Sequence, residues 1–405
     1  MSTTLPKKRL ILGLLWTAFF VAYLDRTNIS VAGPTMMKAL AMSPQTFGYV
    51  LASFTAGYAL MQIPGGMFAD RFGAKRMLII ALLVWSLFTG LTGLAVSVGM
   101  LIAVRFFFGV GEGLENGAHF KAIGDTFASH ERSAASGIFH TALALGPAFV
   151  APIAALTIAN FGWQTLFLLF TIPGVLVAAL IWGFFPAVTG NPNADRAEDA
   201  GGGAASFGEM IARPLAWLPF AAYLLFNVAF WGLLNWMPSY LSAERHIDLK
   251  SLGAIASIPY LCGFCGLLIL GYLGKGLLYR YRPLLLGGSY LLAGLGLYLA
   301  FTADNVVSSV AGLSFGAFFL YGGFGPFWAV ALDVVPGKLR GTFSGFVNFG
   351  GQIGGFFSPI VVGTIVQNTK SYSGGFVFMI GALILAGATM VAIQQGQRLP
   401  QPAPA

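Results

Sequence analysis

Asp25 and Arg26 stand side by side inside an apolar run that begins at Leu10, and Arg105, Glu112 and His119 recur at intervals of seven inside another. In an apolar setting these residue types suit two kinds of chemistry. A guanidinium stays charged and presents a planar fork that matches a carboxylate. A carboxyl in a dry cavity is suited to loading and releasing a proton near neutral pH. Residues seven apart on a helix share a face, so Arg105, Glu112 and His119 are expected to project together. Enzyme chemistry lacks its parts, because the four histidines (119, 130, 140 and 246) are scattered and no nucleophile–base pair or metal cluster stands out. Cys262 and Cys265 form a lone CxxC without a second pair, and are expected to be small buried packing residues. No cofactor and no metal site is expected, and the chain does not read as an enzyme.

The elements that must carry these groups follow from composition. Of 405 residues, 57% are hydrophobic and 9% charged, against about 25% charged in soluble domains. The bilayer is therefore the expected solvent. Runs of about 20 apolar residues span its hydrocarbon core. They fall near 10–32, 46–68, 77–97, 100–122, 133–158, 164–186, 214–241, 251–274, 283–303, 306–331, 342–366 and 374–394. The first is too long for a cleaved leader and lacks a small-residue cleavage site. The longest polar segment, at 191–206, reads as a flexible linker. It separates two halves of six spans, the symmetry of carriers that move two bundles around a central site.

Sixteen of the 22 Lys and Arg residues lie at the termini or in even-numbered connections. The positive charge of the chain thus reflects topology, with both termini cytoplasmic, and not a nucleic-acid surface. At 1.5 Å per residue, Asp25 lies about 24 Å above Arg9, and Arg105 comes near its level from the opposite direction on span four. Glu112 then lies about 10 Å deeper, near the midplane. Each such charge costs about 2.5–3.5 kcal/mol at a helix centre on insertion scales, and such groups rarely face lipid. The bland alternative is that Asp25 pairs with Arg105 or Arg26 merely to offset burial.

The second connection reads "GMFADRFGAKR", with Gly66, Asp70, Arg71, Gly73, Lys75 and Arg76 in the pattern G-x-x-x-D-R-x-G-x-K-R. An acid before Arg, with Gly for a tight turn, suits a charge clamp between helix ends, and otherwise makes an ordinary basic loop. This loop resembles the signature of the major facilitator superfamily, and "GYLGKGLLYRYR" at 271–282 is a degraded copy without the acid. "YLDRTNIS", "GYALMQIPGGMFADR", "RFFFGVGEG", "NWMPSYL" and "GTFSGFVNFGGQIGGFFSPIVVG" resemble its anion:cation symporter branch. That branch includes bacterial sugar-acid and organic-acid proton symporters and animal vesicular glutamate and sialic acid carriers. The resemblance implies that Arg26 and Arg105 bind the substrate anion and that Asp25 and Glu112 couple protons. It also places Tyr58, Asn348 and Gln352 at substrate-contacting positions. Trp231 and Asn227, four apart on span seven, either close the site from the second half or pack. His119 is a relay partner of Glu112, a substrate contact or a residue at the cytoplasmic mouth. The chain departs from the branch in "EGLENGAHFKAIGD", which adds Glu115, Asn116, His119 and Lys121, and in Leu143, where sugar-acid members place Gln. Fewer hydroxyl partners suit a less polyhydroxylated anion.

The expected fold is an all-α membrane protein of twelve transmembrane helices in two six-helix bundles: 1–190, a cytoplasmic linker at 191–212, and 213–405. The expected function is proton-coupled uptake of a small organic anion, a carboxylate or sugar acid, by alternating access. An organic-anion exchanger without net proton coupling is the alternative. A drug/proton antiporter ranks behind it because paired arginines disfavour cations, and a channel would need pore-lining repeats. The expected partners are the anion, protons and the lipid bilayer, without nucleic acid, for a monomer in a bacterial inner membrane. From the charge bias, a tag at either terminus should stay unreactive toward a membrane-impermeant reagent in intact cells. Labelling of either tag would overturn the orientation.

Overall fold

The structure, a computed structural model, describes residues 5–127, 129–186, 211–212, 214–275, 281–334 and 340–396. Among these the secondary structure is helical: α1 (Leu5–Ala39), α2 (Pro44–Phe72), α3 (Ala74–Gly93), α4 (Val98–Thr126), α5 (Ser129–His140), α6 (Ala142–Phe184), α7 (Pro214–Ala243), α8 (Leu249–Lys275), α9 (Arg282–Thr302), α10 (Val306–Gly322), α11 (Phe324–Asp333), α12 (Arg340–Thr369) and α13 (Ser373–Gly396). The expected linker at 191–212 lies outside the described residues, but for Ile211 and Ala212.

Nine stretches among the described residues are long and apolar enough to cross a bilayer. One of them, Ala135–Phe184, runs to 50 residues and breaks at Gly162, whose φ of 85° lies outside the helical region, so it crosses twice. The helices α2 and α4 are less apolar, α4 because Arg105, Glu112 and Glu115 lie in its middle. At 29 residues each, they still exceed the ~30 Å of a hydrocarbon core. Together these make the twelve spans expected. The breaks differ in detail from the sequence reading: span five is divided between α5 and α6, and span ten between α10 and α11 at Gly323. Polar caps fix several starts. Ser43 accepts the Thr46 amide at 3.1 Å and Ser97 that of Met100 at 3.3 Å, satisfying amides the first helical turn leaves open. Ahead of α8, outside the spans, hydrogen bonds from Ser251 hold the Asp248 carboxyl below its ordinary range.

The cysteines correct the sequence reading. Cys265 is exposed and Cys262 half-buried, on a flank of α8 that also exposes Leu261, Leu268 and Ile269. Lipid tails are as apolar as these side chains, so nothing drives them inward.

The described chain divides into two compact units. One comprises residues within Met1–Ala197, Leu234–Ile258 and Pro359–Ser371, and the other residues within Glu198–Leu233, Pro259–Ser358 and Tyr372–Ala405. Inside the first unit, Ser257 donates to the Ala148 carbonyl at 2.8 Å, and Phe47 meets Trp236 edge-on at 5.8 Å.

The closest packing in that unit joins α2 to α4 along glycines. A Cβ added to Gly109 would strike the Phe54 carbonyl and approach the Tyr58 amide to 2.9 Å. One at Gly113 would meet the Tyr58 carbonyl at 2.8 Å, and one at Gly117 the Gly66 Cα at 2.5 Å. The spacing of four puts these glycines on one edge of α4, so the backbones touch as in small-residue membrane interfaces. That edge adjoins the face that carries Arg105, Glu112 and His119. The seam therefore fixes how α2 meets the charged face. Gly109→Ala should destabilise the protein by about 1–3 kcal/mol through backbone overpacking, read as a lower Tm in detergent. Gly13→Ala, where nothing lies within 4 Å of the added carbon, should leave Tm unchanged or raised. Equal Tm values for the two variants would overturn the seam.

Candidate functional site

Seven Asp, Glu, Lys, Arg or His side chains are buried among the described residues, and six of them lie on α1 and α4: Asp25, Arg26, Arg105, Glu112, Glu115 and His119. None of these six is more than 5% exposed. Burial of this order is costly unless charges are paired. The pairing found is between helices, from Arg26 Nε to Glu112 Oε2. Asp25 instead accepts from its own-helix neighbour, Asn28 Nδ2 to Oδ1 at 3.3 Å, and lies within electrostatic reach of Arg105 and Glu112. Its second oxygen, Arg105 Nε and Glu112 Oε1 make no hydrogen bond in the structure. The site thus holds acceptors and a donor that are dry and unsatisfied, which native interiors rarely leave without a role.

Aromatic rings hold the guanidinium heads. Arg26 Cζ lies 4.6 Å from the Tyr23 ring, 4.8 Å from Tyr58 and 5.5 Å from Phe54. Arg105 Cζ lies 4.4 Å from Phe108 and 5.3 Å from Phe54. A cation over a ring face is attracted by its quadrupole, more so when desolvated. Phe54 therefore serves both arginines, and Tyr58 has its place beside Arg26.

Deeper along α4, His119 Nε2 lies 3.3 Å from Glu115 Oε1. The rings of Phe139 and Phe19 stand 4.8 and 5.8 Å from the imidazole. Asn116, beside them, donates to Gln62 on α2 at 3.0 Å.

The loop between α2 and α3 turns at Gly73, whose φ of 86° is open to glycine and strained for other residues. Lys75 donates to the Phe185 carbonyl at 2.9 Å. Asp70, on the exposed end of α2, lies 3.7 Å from Lys121 on α4, which also reaches Asp125 at 3.3 Å. Arg71 covers the Phe72 ring at 5.4 Å, and Arg76 is exposed. Gly66 is a seam residue against Gly117.

The remaining candidates lie in the second unit and are described within it. Gln352 Nε2 donates to Asn348 Oδ1 at 3.4 Å, one turn apart on α12. Asn227 and Trp231 on α7 are buried, with Asn227 bonded to the Tyr223 carbonyl at 2.8 Å. A Cβ added to Gly351 would meet Asn227 Nδ2 at 2.9 Å, and one at Gly355 the Trp231 ring at 2.7 Å. Asn227 and Trp231 thus sit along the contact of α7 with the Gly351 and Gly355 edge of α12. Arg282 in this unit reaches Asp333 at 3.3 Å, an ion pair within the second half's degraded loop copy and the end of α11.

Sequence reasoning missed Tyr23, Phe54 and Phe108 as ring partners, and gave Glu115 no role. Three were detectable from helical spacing: Tyr23 precedes Arg26 by three, Phe108 follows Arg105 by three, and Glu115 follows Glu112 by three.

A profile described as the Major Facilitator Superfamily matches residues 15–359. The chain is 33% identical to the probable sulfoacetate transporter SauU of Cupriavidus necator, over 96% of this chain and 94% of that protein. It is 31% identical to the hexuronate transporter of Bacillus subtilis, over 93% and 92%. Among solved structures, a bacterial homologue of the human lysosomal transporter Spinster, inward-facing and unoccupied, superposes with a TM-score of 0.81 over 99% of this chain and all of that one, at 19% identity. This last likeness is one of fold.

If the forks of Arg26 and Arg105 bind an anion, their shape matters as well as their charge. Arg105→Lys keeps the charge and loses the bidentate fork, so it should weaken carboxylate-induced thermal stabilisation by roughly tenfold in apparent Kd, with folded yield retained. Near-normal binding by Arg105→Lys, together with loss of folded protein in Arg105→Ala, would make Arg105 a strut that offsets buried acids.

Proposed function

Because the chain belongs to the major facilitator superfamily, we propose that it is a proton-coupled importer of a small organic anion, a carboxylate or sugar acid, working by alternating access. The observation that carries this reading is the buried Arg26–Glu112 pair beside Arg105 and Asp25, on two helices of one unit. The chain is a multi-pass membrane transporter, and its relatives are named as carriers of organic and sugar acids. Those names support an anionic cargo here. The ring-flanked arginines and the buried Leu143 favour an anion with few hydroxyls.

The coupling follows from electrostatics. An incoming carboxylate takes the Arg26 fork from Glu112. A lone buried carboxylate is costly, since breaking a buried pair from one side is worth about 3–5 kcal/mol. Glu112 relieves that cost by taking a proton, and the loaded site becomes neutral overall at this pair. Release of anion and proton on the other side restores the pair. Asp25, with one oxygen bonded to Asn28, is the second proton-coupling acid. Tyr58 lines the arginine side, while Asn348, Gln352, Asn227 and Trp231 contribute substrate contacts from the second half. The halves are 1–190 and 213–405, joined through 191–212. The carrier works as a monomer in a bacterial inner membrane with both termini cytoplasmic. The loop of Gly66, Asp70, Arg71, Gly73, Lys75 and Arg76 acts as a conformational latch through Asp70 and Lys121.

Glu112→Gln keeps size and hydrogen bonding but cannot release a proton. In proteoliposomes it should abolish accumulation driven by a pH gradient while retaining anion exchange. Wild-type accumulation and pH dependence in this variant would move the proton role to Asp25. Exchange without any response to a pH gradient in the wild type would favour the exchanger instead.

A further inference from the structure

The buried pair of Glu115 and His119 has no part in the cycle above. Glu115 is 1% exposed and His119 0%. Their facing atoms stand 3.3 Å apart, and Glu115 Oε1 and both imidazole nitrogens lack a well-formed hydrogen bond, with the Leu15 backbone of α1 the nearest further partner of the ring. Phe19 and Phe139, stacked at 4.1 Å, close one side of the ring. A pair that served only to fill space would be better replaced by apolar side chains of the same volume. Its position is also particular. Glu115 and His119 follow Glu112 by three and seven residues, one face of α4. The other titratable or charged groups that face the pair are Glu112 on α4, Arg26 on α1 and His140 on α5. His140 is engaged with the Ser136 carbonyl at 2.7 Å. Beyond His119, the same helix ends at Lys121 and Asp125, which are partly exposed.

From this arrangement we infer that Glu115 and His119 form a relay that passes the proton between Glu112 and the C-terminal end of α4. The inference rests on the proton-coupled reading of Glu112. In a dry setting the pair is electrically neutral when it holds one proton, either as carboxyl and imidazole or as carboxylate and imidazolium. Both forms carry the same proton, so it moves within the pair without separating charge from the site. Outward passage has two proton transfers. The imidazolium gives a proton from Nδ1 to water that enters from the helix end, itself about 10 Å away, leaving Glu115 as carboxylate and His119 neutral. Glu112 then gives its proton to Glu115, which restores the pair, and the Glu112 carboxylate returns to Arg26 Nε. One proton has left Glu112 and one has reached water; the imidazole keeps its hydrogen on Nε2, and a half-turn of the ring that presents the bare nitrogen to Glu115 resets the relay. The span from Glu112 to His119 is about 10 Å along the helix, too far for one direct transfer. Intramembrane acids and histidines in series are the arrangement of proton pathways in pumps and transporters.

The test needs no substrate. The full-length protein in detergent is stepped in pH, and time-resolved infrared absorption follows the carboxyl stretch that Glu112→Gln removes. In His119→Gln, and separately in Glu115→Gln, that Glu112 band should rise with wild-type final amplitude but roughly tenfold more slowly, in keeping with loss of a positioned proton donor. The two variants cut the same path, so whichever folds decides. A wild-type rate in a folded variant overturns the relay and leaves Glu112 as the proton site. Reduced amplitude at an unchanged rate marks a structural pair and also overturns it. Absence of any Glu112 band in the wild type overturns the proton-coupled reading itself, and the relay with it.

Discussion

A charge inside a dry helical protein must be answered by another charge, and the structure is organised around one such answer. Arg26 of α1 and Glu112 of α4 meet where neither reaches water. Once that pair exists, the helices that carry it have to come close, and their remaining polar groups are drawn to the same face. Six of the seven buried charged or imidazole groups among the described residues follow this rule. Attraction between a buried pair roughly offsets its desolvation, so the pair gives little stability of its own. What it gives is a definite placement of α1 against α4.

The glycine seam is what makes the arrangement geometrically open to α2. With side chains at Gly109 and Gly113, α2 would stand off from α4, and Tyr58 and Phe54 would no longer reach the guanidinium heads. Backbone contact on one edge of α4 thus sets aromatic contact on the next. The same helix carries the pairing acid, Arg105 with its flanking Phe108, and the Glu115–His119 dyad. Three charged residues in the middle of the span, Arg105, Glu112 and Glu115, are the sequence trace of that load.

Much of this was legible in the sequence. The twelve spans followed from apolar length, which the bilayer imposes with little ambiguity. The seven-residue spacing of Arg105, Glu112 and His119 identified a common buried face, because helical periodicity is local. Partner choice was not local. Asp25 looked like the natural mate of an arginine, yet Glu112 holds Arg26 and Asp25 turns to Asn28. Which acid meets which base depends on helix rotation and on the close approach that Gly109 and Gly113 permit. The break at Gly162 falls in the expected connection between 158 and 164, whereas that at Gly323, one glycine among 54, was hidden inside an unbroken apolar run. Cys262 and Cys265 were misplaced because burial rules drawn from water do not carry over to lipid.

The Arg26–Glu112 contact also makes Glu112 a ligand that never leaves. If Arg26 takes the anion, as proposed, that anion would meet a site already occupied by a carboxylate tethered to the same scaffold, at a high effective concentration. Affinity in such a site would be a difference between two similar interactions, weaker than the fork alone would provide. For a carrier this is useful, because cargo held too firmly would be delivered slowly. The rings around the guanidinium heads act on the other side of that balance. They keep the forks in place between occupants, so little ordering is lost each time one anion replaces another. Turnover in such a site would be governed by competition within the protein, and modest affinity would follow from the pairing already present in the empty state.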